Sequence, residues 1–369
     1  MSGPLPTAVR TSNDISDSPQ TRSEFAWFAA LCDDDFEFLG VPTPELASSW
    51  SHCSEIVRAA DRSGFDSILL PSGFDLGIDP IAFAGGVAPD LEHISLLVAV
   101  RCGEMWPPQL ARQLGSLDEM LQGRLRINII SSDLPGETLG GKERYGRTLE
   151  VMKMLRAVLS GERCSADGQF YRFDLPAPRL LAQRTQAPPL YFGGLSPEAR
   201  AVAAEAADVF LMWPDTTEGV KDLLADMDER SAAYGRKLRY GYRVHVIVRE
   251  TESQAMDAAR LLVSKLSDQV GAEIRSRSLD AGSFGVNQQG DLRSRSDADG
   301  FVEENLWTGI GRARSGCGAA IVGDPDQVVS KIRAYEELGI SSFIFSGYPH
   351  LGECGRFADM VLPTLLANN

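Results

Sequence analysis

The sequence predicts an α/β fold: a (β/α)8 TIM barrel with insertion segments and a mobile lid loop. Short β-branched and aromatic runs alternate with helical runs along the chain, the rhythm of parallel βαβ units. Eight such strands can be counted, the number that closes a barrel. No Gly-x-Gly-x-x-Gly turn follows the first strand, as the competing open, doubly wound sheet would carry. At 369 residues the chain exceeds the usual domain, but α/β barrels reach this length as one unit.

Residues 1–23 are rich in Ser, Thr, Pro and Asp and lack an apolar stretch, so they are expected to form a disordered tail. The barrel is expected over 24–369. A first strand is expected at 24–31, ending in the acidic run Asp33-Asp34-Asp35. A helix over 43–64 starts near Pro44 and stops at Gly64. Strands follow at 67–70, 94–100 and 125–130, with a helix from Pro107 to Leu121 before the last. The second half adds helices at 146–159, 196–206 and 218–234 and strands at 189–192, 209–213, 240–250 and 342–345, with a helix over 326–338 before the last. Two insertions break the rhythm. Residues 160–188 read as a hairpin-containing insertion. Residues 267–320 read as a long polar loop with few core residues, made locally basic by Arg275, Arg277, Arg293, Arg295, Arg312 and Arg314. Such a loop is either a solvated linker or a lid over an anionic ligand.

The net charge of −15 and pI near 4.8 argue against nucleic acid or an anionic membrane as partner. Six cysteines without CxxC spacing indicate reduced thiols and a cytoplasmic setting. Four histidines without paired spacing give no metal site, and no apolar run approaches the ~20 residues of a membrane span.

The 240–250 strand carries the most informative chemistry. Tyr242, Val244, Val246 and Val248 share one apolar face that asks for a helix layer. Arg243 and His245 share the other and look into whatever the strand encloses. Gly193 and Gly194 follow the fifth strand, and Ser196 opens a helix. That pattern serves either as a phosphate cradle of backbone N–H groups or as an ordinary turn with an N-capping serine.

Four stretches carry a resemblance: Pro189-Leu-Tyr-Phe-Gly-Gly194, the Gly241-Tyr-Arg-Val-His-Val-Ile-Val-Arg-Glu250 strand, Asn305-Leu-Trp-Thr-Gly-Ile-Gly311 and Ser346-Gly-Tyr-Pro-His-Leu351. Leu117-Asp-Glu-Met-Leu-Gln-Gly-Arg124 adds a broader motif. Together they resemble the flavin-dependent alkanesulfonate monooxygenases of the bacterial luciferase-like superfamily. The resemblance implies a two-component enzyme that receives reduced FMN from an NAD(P)H-dependent flavin reductase and reacts it with O2. A C4a-peroxyflavin then oxygenates an organosulfonate, releasing an aldehyde and sulfite. It implies catalytic roles for Arg243, His245, Arg314 and Tyr348, and FMN contacts for Ser131, Tyr145, Gly193, Gly194 and Ser196. Cys32, Phe74 and Trp213 are expected at the substrate pocket, and a homodimer or homotetramer is implied.

The front half departs from the family. Cys32 falls where the family has a histidine. Ser72-Gly-Phe-Asp-Leu-Gly-Ile-Asp79 lacks the family's arginine and cysteine, and Gly140-Gly141 replaces an Asp-His pair. Phe74, Leu76 and Ile78 predict a more apolar pocket mouth. The alternatives are therefore a luciferase-like FMN monooxygenase of a different, more apolar substrate, or a flavin-binding barrel without catalysis.

Overall fold

The computed structural model describes residues 22–367 except 75–76, 138, 277–282 and 315. Most of the expected tail, Leu76 of the pocket mouth and Arg277 of the basic insertion therefore lie outside the described residues.

Eight parallel strands close the barrel: β1 (Glu24–Phe28), β2 (Ser67–Leu70), β3 (Ser95–Arg101), β4 (Leu125–Ile130), β7 (Leu190–Gly193), β8 (Val209–Met212), β9 (Arg239–Val248) and β13 (Ile340–Ser346). They pair in that order, and β13 returns to β1. The surrounding helices are α1 (Trp50–Arg62), α2 (Pro80–Val87), α3 (Pro107–Met120), α4 (Gly141–Leu159), α5 (Pro197–Ala206), α6 (Thr217–Ala232), α7 (Glu252–Leu262), α10 (Pro325–Glu337), α11 (His350–Met360) and α12 (Leu362–Ala367). Local sequence sets their ends. Ser49 caps α1 by accepting from the His52 N–H at 3.2 Å, and Gly64, at φ +81°, takes the left-handed turn beyond it. The expected barrel is borne out.

Strand β9 has the two faces its alternation predicts. Tyr242, Val244, Val246 and Val248 join the main core beneath the helices, and the Tyr242 ring stacks on Tyr335 of α10 at 4.4 Å. The barrel interior is a smaller apolar cluster of Ala26, Phe28, Leu69, Leu97, Tyr191, Val209 and Ile344. At its lower end, Glu24 accepts from Tyr191 at 2.9 Å and pairs with Arg126 and Arg239, both at 2.9 Å. This knot of charges sits where the strands begin, at the end opposite the expected site.

The 160–188 insertion contains the expected hairpin, β5 (Cys164–Asp167) against β6 (Arg172–Leu175). The 267–320 segment differs from the polar loop read in its composition. It folds into α8 (Asp268–Ser276), α9 (Phe284–Ser294), β10 (Phe301–Glu303), β11 (Leu306–Trp307) and β12 (Ala320–Gly323). A few anchors, Leu292, Leu306, Trp307, Ile310 and Cys317, are buried and outweigh the many Arg, Ser and Gly around them. Strand β12 lies parallel to the far half of β9, pairing Ala320 with His245. At the end of the stretch expected as a tail, Arg22 pairs with Asp66 and Ser23 is buried.

Candidate active site

The C-terminal ends of the barrel strands bring together Cys32, Arg243, His245, Arg314 and Tyr348 of the expected residues. Arg243 comes from the inward face of β9, is 6% exposed, and lies over the Phe28 ring at 4.0 Å. Its Nε and Nη2 have no partner among the described residues. Two unused donors on a buried guanidinium cost about 1–3 kcal/mol each unless a ligand takes them. Cys317, on the segment entering β12, points its thiol at the Arg243 carbonyl at 3.4 Å.

Two residues along, His245 is fully buried. Its Nδ1 is 2.9 Å from Ser346 Oγ, its ring stacks on Tyr348 at 5.4 Å, and its Nε2 is unpartnered among the described residues. Burial, and then Arg243 and Arg314, hold its pKa well below the usual imidazole value, so the ring is neutral at physiological pH. Burial likewise raises the Tyr348 hydroxyl, although Arg314 opposes it, and keeps that proton on the oxygen. Arg314 descends from the insertion and pairs with Asp33 after β1 at 2.8 Å. Burial raises the thiol of partly buried Cys32, with Arg314 and Arg243 the nearest opposing charges. Gly73 packs against the Cys32 backbone. Phe74, beside it, is 64% exposed and stands outside this cluster.

Behind Tyr348 lies a network the sequence reading missed. Fully buried Asp35 receives His52 Nε2 at 2.9 Å, His350 Nδ1 at 2.8 Å and the His350 N–H at 2.8 Å. Burial works to raise the Asp35 pKa, but His350 and the hydrogen bonds outweigh it and hold the carboxyl well below its ordinary value. The run Asp33-Asp34-Asp35 was visible in the sequence, but nothing in it marked His52, 17 residues on, or His350, 315 residues on, as partners of Asp35.

The expected flavin residues gather at the neighbouring ends of β4, β7 and α4. Gly194 has φ +148°, and a Cβ there would lie 2.6 Å from the Ala199 Cβ and 3.8 Å from the Tyr145 hydroxyl. Ser196 caps α5, accepting from Ala199 N–H at 3.2 Å, which leaves its own proton free to donate. Tyr145 packs edge-on to Phe192 at 6.5 Å, and Thr148 donates to Ser131 Oγ at 2.8 Å. This is a hydroxyl-rimmed helix N-terminus of the kind that takes a phosphate, so the residues fit the phosphate of FMN. Trp213, just past β8, bridges to the insertion, because a Cβ on Gly285 or Gly316 would lie 2.9 or 3.1 Å from its ring.

One inward residue went unread. On β3, Leu97 belongs to the interior cluster, so Arg101, four residues on, also faces inward at the mouth. It is 6% exposed. Among the described residues its Nη1 has no partner, and its Nε, although 3.0 Å from Glu104 Oε1, makes no directed hydrogen bond.

The profile of the luciferase-like monooxygenases matches residues 36–342, and the chain belongs to that family. A sulfoquinovose monooxygenase of Novosphingobium aromaticivorans is 58% identical over 347 residues, covering 92% of this chain and 96% of the relative. Another, from Agrobacterium fabrum, is 48% identical over 345 residues, covering 93% and 90%. The EDTA monooxygenase structure from Chelativorans sp. BNC1 superposes with a TM-score of 0.73 at 15% identity, covering 95% of this chain and 94% of that one. The protein is a monooxygenase of the luciferase-like type, which removes the alternative of a barrel without catalysis. No helix among the described residues is long and apolar enough to cross a membrane.

Proposed function

We propose that the protein is a two-component monooxygenase that uses reduced FMN and O2 to desulfonate sulfoquinovose, a sugar carrying a terminal sulfonate. The observation that carries this reading is Arg243, a buried guanidinium at the barrel mouth with two unused donors and Arg314 poised at the rim. The names of the two similar monooxygenases supply the sugar. This reading keeps the sulfonate that the resemblance implies and not the alternative of a more apolar substrate suggested by Phe74 and its neighbours.

When bound, reduced FMN supplies the two electrons that let O2 deliver one oxygen atom to the substrate carbon and one to water, so that R-CH2-SO3− becomes R-CHO and bisulfite. The chain's own residues would do the rest. Arg243 and Arg314 hold the sulfonate by charge-assisted hydrogen bonds, with Asp33 fixing the second guanidinium. Neutral His245, held through Ser346, and protonated Tyr348 present one acceptor-or-donor and one donor to the reacting atoms. Ser196, Tyr145, Ser131 and the backbone at Gly193 and Gly194 hold the flavin phosphate. Trp213 and Cys32 wall the pocket, and burial under the insertion excludes water.

A separate NAD(P)H-dependent flavin reductase belongs to this reading, as does a homodimer or homotetramer, which light scattering would test. For the activity, purified protein, photoreduced FMN and air are combined with sulfoquinovose or with octanesulfonate. Sulfite release from sulfoquinovose supports the proposal. Normal FMN binding without sulfite from that substrate overturns the assignment.

A further inference from the structure

We propose that Arg101 is a flavin-charge subsite: its guanidinium binds the anionic edge of the reduced isoalloxazine, N1 and the C2 carbonyl, and makes the site prefer the reduced cofactor. The inference rests on the reading that reduced FMN binds at this mouth.

The barrel order supplies the first argument. Strand β3 lies four places from β9 in a closed ring of eight, so Arg101 stands across the mouth from Arg243. Both are inward-facing, 6% exposed, and carry guanidinium nitrogens without hydrogen-bond partners among the described residues. The mouth therefore holds two separated cationic walls. One of them, Arg243 with Arg314, is matched to the sulfonate. The other is offset only by Glu104 at the rim and keeps Nη1 for a second anion.

Position argues that this anion is the cofactor. Strand β3 borders β4, whose end carries Ser131, and β4 borders β7, whose end carries Gly193 and Gly194. Strands lie about 4.8 Å apart, so Arg101 is roughly 10 Å around the ring from the phosphate cradle. A ribityl chain leaving that cradle spans about this distance before its ring begins, on the order of two strand spacings. The ring would then lie between the walls, with its pyrimidine edge toward β3 and the substrate toward β9.

Charge argues the same way. Flavin gains its negative charge on reduction, and that charge resides at N1 and the C2 carbonyl. Arg101 is fixed by Nη2 on the Ser72 carbonyl at 3.4 Å, which leaves Nη1 as an oriented, desolvated donor. Glu104, half-exposed at the rim, offsets part of the charge but does not take that donor. A fixed cation in such a place discriminates between the neutral oxidised ring and its reduced anion.

The test compares the binding of oxidised FMN, by fluorescence quenching, with that of reduced FMN under anaerobic conditions, in wild type, Arg101→Gln and Arg101→Lys. The expected result is a weakening of reduced FMN by about 10-fold or more in Arg101→Gln, with oxidised FMN changed less than about 3-fold. The two-electron potential of the bound flavin then falls by about 30 mV for each tenfold change in that ratio. Arg101→Lys recovers part of the preference. Wild type adds a measurement that needs no variant: its bound reduced flavin shows the anionic absorbance spectrum at pH values where free reduced flavin is neutral. Equal losses for both oxidation states, an unchanged ratio, or a neutral bound spectrum overturns the inference. So does a rise in KM for sulfoquinovose with both flavin affinities unchanged, which assigns Arg101 to the sugar. If wild type fails to bind reduced FMN at all, the proposed function falls instead.

Discussion

Asp35 shows how much one carboxylate can organise, since three of its hydrogen-bond partners belong to His52 and His350. Its folded pKa is depressed, so it contributes stability that is present above the unfolded carboxylate value of about 4 and lost as pH falls through the folded one. Asp35→Asn removes that charge and is expected to lower stability by about 3 kcal/mol at pH 7, with the difference from wild type shrinking well below pH 4; denaturant melts at pH 7 and about pH 2 measure both. Arg243→Gln is expected to lower kcat/KM for the sulfonate by about 100-fold or more while leaving the FMN dissociation constant within a few-fold. Steady-state assays beside flavin titrations separate the two. Some of these residues were legible one at a time. Arg243 and His245 announced themselves as cationic or titratable groups on an otherwise apolar strand. Arg101 did not, because one arginine at the end of Leu96-Leu-Val-Ala-Val-Arg101 looks like a solvated strand terminus until the barrel closes around it. Cys317 and Ser346 were silent because small side chains acquire meaning only from what they touch.

At the scale of elements, Ser196 of the α5 cap pairs an observed structural role with the phosphate contact proposed for it. Ser196 stabilises the helix by accepting from Ala199 N–H, and its free proton faces the proposed phosphate. Ser196→Ala should cost about 1 kcal/mol in melting experiments, whereas Ser196→Gly should cost only a few tenths, since glycine is tolerated at the cap. Both should weaken FMN binding to the same degree in titrations. If flavin affinity instead follows the stability ranking, Ser196 acts only as a cap. Helices and strands of the barrel were legible because their apolar periodicity repeats, and β9 could be read face by face. The insertion's elements were not. Helix α9 has only Leu292 as a large, fully seated apolar side chain, too little for a periodic pattern, and β10 to β12 run for three, two and four residues. Helix α7 also escaped notice, although Thr251 caps it by accepting from the Gln254 N–H at 3.3 Å.

For the whole molecule, the charge knot beneath the interior cluster governs behaviour in acid. Burial works to raise the pKa of Glu24, but Arg126 and Arg239 prevail and hold it below its ordinary value. Its contribution is thus complete above the unfolded value of about 4.3 and disappears as pH falls through the lower folded one. Protonating it leaves Arg126 and Arg239 facing each other around a neutral carboxyl. Glu24→Gln should therefore lower the melting temperature at pH 7 and flatten its decline between pH 5 and pH 3, measured by calorimetry. An opposite result, with acid sensitivity unchanged, would remove Glu24 from that account. Overall topology was the most legible level of all, because eight βα repeats and the missing dinucleotide turn constrain the fold more tightly than any single motif.

The β12–β9 pairing has a mechanical meaning. The insertion is a span held at both roots. On one side Leu39 N–H bonds the Leu262 carbonyl at 2.8 Å, and on the other β12 is zipped onto the strand that carries His245. Displacing either root would break a hydrogen-bonded contact with the barrel, at β12 a strand pairing. Changes in the span can then be made while β12 stays paired with His245–Val248 of β9 and β13 stays paired with Arg243.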